Sequence, residues 1–173
     1  MKGQSELEET VKIRSITMND YKYVLNWSTD EVFCHANGWQ IDRKPEELYD
    51  WWLNQVYTFS IEFVRLGVEH EGRFIGYGDL ADIKNHTAEF GIAIGDRTLW
   101  GQGLGTKAAA ELMEYGTKNF GITTYNAETH ENNLRSRKML ERLGFQEINR
   151  NGKEEYLGEY VELIQYRLRS NGL

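Results

Sequence analysis

"WGQGLGTKAAAELMEYG", Trp100–Gly116, sets glycines at 101, 103 and 105 and then runs into strong helix formers. Ahead of it, "TAEFGIAIG" from Thr87 to Gly95 reads as a strand. A strand, a glycine turn and a helix start leave several backbone N–H groups unpaired and aimed outward. Glycines let an anion approach without a Cβ in the way, and the helix macrodipole adds partial positive charge there. The turn therefore suits a phosphate. Its spacing narrows the choice, because a dinucleotide fingerprint would need its third glycine at Thr106, and no G-x-x-x-x-G-K-[ST] loop occurs. The competing reading is a helix N-terminus with convenient glycines.

Outward from the turn, Leu104, Ala108, Leu112 and Tyr115 share one helix face, and "TTYNAETH" ending at His130 restores a strand. Strand, turn, helix and strand make one crossover unit. Upstream, "SIEFVRLGVEH" and "RFIGYGDLADI", separated by Glu71-Gly72, join "TAEFGIAIG" in an antiparallel meander. "VKIRSI" (Val11–Ile16) alternates as a first strand. Thr17 and Asp20 then look like a capping pair for a helix to about Trp27. Pro45, Glu46 and Glu47 suit the first turn of another helix, with Leu48, Trp51, Trp52 and Gln55 or Val56 at helical spacing. Between these helices "STDEVFCHANGWQIDRK" reads as a long connection, a binding loop or ordinary surface. A last helix over about Asn133–Leu143 precedes "GFQEINRN" and "GEYVELIQYRLR", a closing strand pair. The order predicts a mixed α/β domain built on a central sheet.

Composition agrees with one domain. The chain has 173 residues, 40% of them hydrophobic, enough to bury a core unaided. Residues 11–169 read as that domain and residues 1–10 as a polar tail. No apolar run approaches the roughly 20 residues of a membrane span, and no leader pattern opens the chain, so a cytoplasmic protein is expected. Cys34 is the single cysteine, which excludes an internal disulfide and suits a small buried hydrophobe. A net charge of -7 argues against a nucleic-acid binder and mildly favours cationic ligands. His35, His70, His86 and His130 lack ligand spacing, so no metal is expected.

The turn, together with "NNLRSRKMLERLGF" some thirty residues later, closely resembles the GNAT superfamily of acyl-CoA-dependent N-acetyltransferases. Trp100 to Gly105 match the family signature R/Q-x-x-G-x-G/A with Trp in first place. Asn133, Ser136 and "ERLGF" match N-x-x-S followed by K/R-x-G-F. The W-G-x-G form and "GEYVELIQYRL" resemble the branch of ribosomal-protein N-terminal acetyltransferases. The resemblance implies a GNAT-like, mostly antiparallel sheet of about seven strands with about four helices. It implies acetyl-CoA as cosubstrate, held by Gln102, Gly103, Leu104, Gly105 and Thr106. Backbone groups at Ile92, Ala93 and Ile94, on a bulged strand, would hold the cofactor arm and the oxyanion. Asn133 would contact the pantetheine arm or activate water, or it is simply an N-cap.

The implied reaction moves an acetyl group to a primary amine by direct attack in a ternary complex. A free alkylamine is neutral only about one part in 10³ at pH 7, whereas an N-terminal amine needs much less help. Glu89, at the head of its strand, and Glu155, in "KEEYLGEY", are the candidate bases. Each also reads as a solvated carboxylate. Asp79 and Asp82 could line the same cavity or simply be surface charges. Many relatives carry a Tyr acid in the last helix where this chain has Leu140. Ser136 on the same face can hydrogen-bond the departing sulfur, which leaves readily as a thiolate. Trp39, Trp51 and Trp52 read as core, or as a face for a cation. The acceptor could be a peptide N-terminus, a polyamine or an aminoglycoside-like amine, and the enzyme a monomer or homodimer. A non-catalytic acyl-CoA sensor of the same fold is the alternative, hinted by the missing Tyr.

Overall fold

Seven strands form one sheet in the computed structural model, which describes residues 10–170. They are β1 (Val11–Ser15), β2 (Val64–His70), β3 (Arg73–Lys84), β4 (Thr87–Ile94), β5 (Thr124–His130), β6 (Gln146–Tyr156) and β7 (Glu159–Arg169). Their spatial order is β1-β2-β3-β4-β5-β7-β6, and only β4 and β5 run parallel. Five helices accompany them: α1 (Tyr21–Trp27), α2 (Glu31–Asn37), α3 (Pro45–Tyr57), α4 (Leu104–Phe120) and α5 (Leu134–Arg142). A parallel pair needs a crossover, and α4 supplies it. The tail expected at residues 1–10 lies, apart from Thr10, outside the described residues.

Local chemistry sets most element ends. The β2–β3 turn closes through Glu71 and Gly72 and the β3–β4 turn through Asn85 and His86, all at positive φ, which matches the twist of antiparallel hairpins. Asp20 accepts the Thr17 N–H at 2.9 Å and is forked by Arg14 at 2.8 and 2.9 Å, so its charge is paired although it is buried. Pro45 opens α3 at a position where its missing N–H costs nothing.

Two expectations are corrected. The connection from Ser28 to Lys44 contains α2, which Asp30 caps by accepting the Val32 and Phe33 N–H groups at 3.0 and 3.2 Å and which Gly38 ends at φ 66°. Its Phe33 and Cys34 are buried in the core. The closing strand read in "GFQEINRN" also runs on past Asn151: residues 151–155 belong to β6, whose register shifts between Arg150 and Lys153.

The sheet is covered on both faces. Ala109 and Leu112 of α4 and Leu140 of α5 pack on Leu80, Phe90, Tyr125 and Ile164. On the other face Trp27, Phe33, Leu48 and Trp52 pack on Phe74, Tyr77 and Ala93, with Trp39 and Trp51 against them. Full burial of side chains this size stabilises by about 1.5–3 kcal/mol each, and this holds the two helical layers on opposite sides of one sheet. No helix among the described residues is long and apolar enough to cross a membrane.

Candidate active site

β4 and β5 pair only from Thr87–Thr124 to Glu89–Asn126, and then part. A cavity of about 400 Å³ occupies the wedge. Its walls are the outer half of β4, Ala127–His130 of β5, the start of α4, α5 and the Ala36–Gly38 end of α2. On its other edge β4 stays in unbroken register with β3 from Glu89 to Ile94. The Gly95 N–H donates to the Ile75 carbonyl at 2.8 Å. Antiparallel bonding alternates, so Ala93 and Gly91 also bond β3, while the N–H and C=O groups of Phe90, Ile92 and Ile94 point into the wedge. The Trp100 indole N–H takes the Ile94 carbonyl at 2.8 Å.

The bulge expected at Ile92–Ile94 is therefore absent, and divergence from β5 frees the backbone in its place. Ile92 and Ile94 face the cavity. Ala93 is turned to β3 and buried against the helices of the opposite face.

The glycine turn borders the same space. Gly101 and Gly103 have φ of 81° and 79°, a left-handed conformation that an L side chain would strain. Gly103 is the N-cap of α4, and Lys107 is the first residue whose N–H bonds within the helix, to Gly103 O at 3.1 Å. The N–H groups of Gly103, Leu104, Gly105 and Thr106 thus lack a helical acceptor, and all four residues line the cavity. Gln102 does not; its amide folds back to donate to Thr98 O at 3.0 Å. Arg135 lies over the Trp100 ring, its guanidinium carbon 3.3 Å from the centroid, and lines the cavity with Arg142. Burial lowers the Arg135 pKa, an effect opposed by the Tyr156 phenol. This end of the cavity is built for anions.

The far end is acidic. Glu128, His130 and Glu154 line it, with His130 Nε2 at 3.1 Å from Glu154 Oε2 and the His130 ring stacked on Tyr156 at 4.4 Å. Glu128 accepts the Gln165 amide at 2.7 Å. Ser136 and Asn133 line the cavity too; the Asn133 carboxamide accepts the Ser136 N–H at 3.2 Å and so caps α5 from within the lining.

A model of the acetyltransferase (GNAT) domain matches residues 10–146. The chain belongs to the GNAT family. An uncharacterized protein of Methanocaldococcus jannaschii is 28% identical over 156 residues, covering 88% of this chain and 31% of that protein. Mouse alpha/beta-tubulin-N-acetyltransferase 9 is 24% identical over 156 residues, covering 86% of this chain and 55% of its own. The chain thus spans about a third to about half the length of these curated relatives. Among solved structures, spermidine N-acetyltransferase from Vibrio cholerae, in complex with CoA and spermine, superposes with a TM-score of 0.82 at 17% identity, covering 94% of this chain and 96% of that one. A domain from M. jannaschii gives 0.67 at 25% identity over 94% and 99% of the two chains.

Within this GNAT domain the carboxylates singled out in the sequence are placed unevenly. Glu89 sits at the closed end of the wedge, exposed and outside the cavity lining. Partial burial, Asp82 and Glu128 raise its pKa against the pull of Arg167 and Lys84. Glu155 pairs with Tyr160 and points to the sheet face opposite its neighbour, so Glu154 and not Glu155 reaches the cavity. Asp79 is forked by Arg65 at 2.7 Å on both oxygens, and Asp82 holds Lys84 at 2.8 Å on the surface. Leu140, in the usual Tyr position, is buried and lines the cavity. Sequence reasoning missed Glu128, Glu154 and Arg135 and discounted His130. Strand alternation on β5 could have flagged the first, but Glu154 meets His130 only through the pairing of three strands.

Proposed function

We propose that this GNAT domain transfers the acetyl group of acetyl-CoA to a primary amine on a small cationic molecule, by direct attack in a ternary complex. The observation that carries the reading is the polarity of the cavity. One end offers four helix N–H groups, with Arg135 over Trp100 beside them, to the phosphates of coenzyme A, and the lining also offers Glu128 and Glu154 to a cation. The wedge between β4 and β5 joins them, with the inward N–H groups of Ile92 and Ile94 available to the pantetheine arm and to the oxyanion. Ser136, whose hydroxyl makes no hydrogen bond among the described residues, stands where it can donate to the departing sulfur. The polyamine named for the Vibrio cholerae enzyme fits this charge pattern.

A second reading has a protein N-terminus as acceptor. It rests on the Trp100-Gly101 turn, which resembles the ribosomal-protein branch, and on the tubulin acetyltransferase named among the relatives. A cytoplasmic monomer or homodimer suits either, and the one cysteine, Cys34, is free and buried. The test is thiol release from acetyl-CoA with spermidine, an aminoglycoside and a peptide bearing a free N-terminus. The cationic reading expects turnover with spermidine or the aminoglycoside well above the peptide. Peptide turnover above both favours the second reading, and coenzyme A binding without turnover on any amine makes the domain an acyl-CoA sensor.

A further inference from the structure

We propose that His130, oriented by Glu154, takes the proton from the acceptor ammonium. The assignment rests on the acetyl-transfer reading and identifies the base that reading requires. The ionisable side chains lining the cavity are Glu128, His130, Glu154, Arg135 and Arg142. Arginine cannot accept a proton. An ordinary carboxylate is about six pKa units less basic than an alkylamine and an imidazole about four, so the imidazole gives the better-matched transfer near neutral pH.

The surroundings of His130 fix one nitrogen and free the other. Its ring is clamped flat on Tyr156, with 21° between the planes, and its side chain is 17% exposed. Nε2 faces the Glu154 carboxylate at 3.1 Å, which can only accept, so Nε2 carries the hydrogen and Nδ1 keeps its lone pair. No hydrogen bond engages Nδ1 among the described residues. The His130 carbonyl accepts the Asn133 N–H at 3.0 Å, tying the end of β5 to the α5 turn that presents Ser136. Base and sulfur-facing hydroxyl are thereby held in one rigid frame. Charged and titratable neighbours are Glu154 and Tyr156 on β6, Glu128 two residues back on β5, and Arg135 on α5; Leu163 of β7 and Ala36–Gly38 beside α2 bring none. Glu128 and Glu154 beside the ring favour an ammonium guest.

The step balances without another reagent. The ammonium gives one proton to Nδ1, its freed lone pair bonds the thioester carbonyl carbon, and the C–S bond breaks. The departing thiolate takes the second N–H proton, and the imidazolium returns its own to solvent. The products are the amide, the free thiol of coenzyme A and one proton.

The experiment compares parent, His130→Gln and Glu154→Gln for thiol release with spermidine from about pH 5.5 to about 9.5, with the melting shift by coenzyme A measured on each. The parent should show a rate limb rising through the neutral range. His130→Gln should lose about 10²-fold or more at pH 7, lack that limb and keep the coenzyme A shift. Glu154, a positioning residue, should cost about tenfold in kcat as Gln. Should Gln at 130 loosen the end of β5, its melting curve will show it and the kcat of Glu154→Gln decides. His130→Gln within threefold of the parent, or the same limb surviving in an impaired His130→Gln, overturns the assignment while leaving acetyl transfer standing. A parent that binds coenzyme A yet acetylates no amine overturns both.

Discussion

Gly105→Ala separates the fold's needs from the ligand's. Gly105 is the second residue of α4 and has no left-handed backbone to protect, unlike Gly101 and Gly103. A Cβ built on it rests 3.5 Å from Met139 Sδ, 3.8 Å from Ile94 Cγ1 and 4.0 Å from Ile92 Cγ2, all ordinary contacts. The free protein therefore accepts the methyl, and replacing Gly by Ala in a helix contributes up to about 1 kcal/mol, less in a first turn. A gain of about 0.5 kcal/mol raises Tm by about 1–2 °C in a domain of this size. The same methyl stands between β4 and α5 at the mouth of the wedge, beside the N–H groups meant for the pyrophosphate. If it weakens coenzyme A about tenfold, stabilisation at a concentration of about 100 parent Kd falls from about 2.7 to about 1.4 kcal/mol. Melting curves with and without coenzyme A read both effects. A variant that is more stable alone and keeps the full ligand shift would refute this route for the cofactor.

Gly116→Ala should do the reverse to stability. Its Cβ would stand 2.7 Å from Tyr125 Oη, which is pinned by Met113 O and Thr117, and 2.9 Å from Leu80, so a net loss of about 1–2 kcal/mol in urea unfolding is expected despite the better helix former. Burial pushes the Tyr77 phenol up to about 12, aided by Asp79 and opposed by Arg65 and the Trp39 N–H. The folded state thus holds the proton more tightly, so its contribution is intact below about pH 10 and is lost as pH climbs through about 12. By pH 11.5 the loss is roughly 2 kcal/mol, and Tyr77→Phe should be less alkali-sensitive by that amount. Glu89→Gln and Glu155→Gln should each leave turnover with spermidine within about threefold, since neither side chain reaches the cavity. Because the folded-state pKa of Glu89 is raised, its charge at pH 7 opposes folding, and Glu89→Gln should not lower Tm.

What could be read in the sequence follows the range of each signal. The meander and α4 announce themselves through period and through turn residues such as Glu71-Gly72, which act over a few positions. The seven-residue α2 carries its own cap and stop in Asp30 and Gly38. Its mixed aromatic and polar composition, however, shows no clean helical stripe, since Phe33 and Cys34 are buried side by side. Alternation on β6 separates Glu154 from Glu155 but does not say which face meets the cavity. Two register shifts, after Glu147 and after Arg150, defeat counting from either end. His130 looks solitary because its partners, Glu154 and Tyr156, come two dozen residues later and reach it across β7.

The parting of β4 from β5 has the least local signature of all, and it makes the sharpest demand on a ligand. Three paired residues hold the two strands together, and beyond them Phe90, Ile92 and Ile94 turn their backbone groups to the wedge without a strand to receive them. Ile94 O is covered by Trp100, but its N–H and both groups of Ile92 face the cavity. Water can satisfy them in the free protein, so their N–H groups should exchange with solvent faster than those of Gly91 and Ala93, which β3 holds. An acyl-CoA whose pantetheine amides lie along β4 would pair with them directly. Hydrogen exchange resolved by residue should then show acetyl-CoA slowing Ile92 and Ile94 by about tenfold or more, while Gly91 and Ala93 change little. Uniform slowing along β4 would mean that the ligand only tightens the whole domain. No slowing at Ile92 and Ile94, with the glycine turn still protected, would put the cofactor arm outside the wedge and detach the acidic end of the cavity from the transfer.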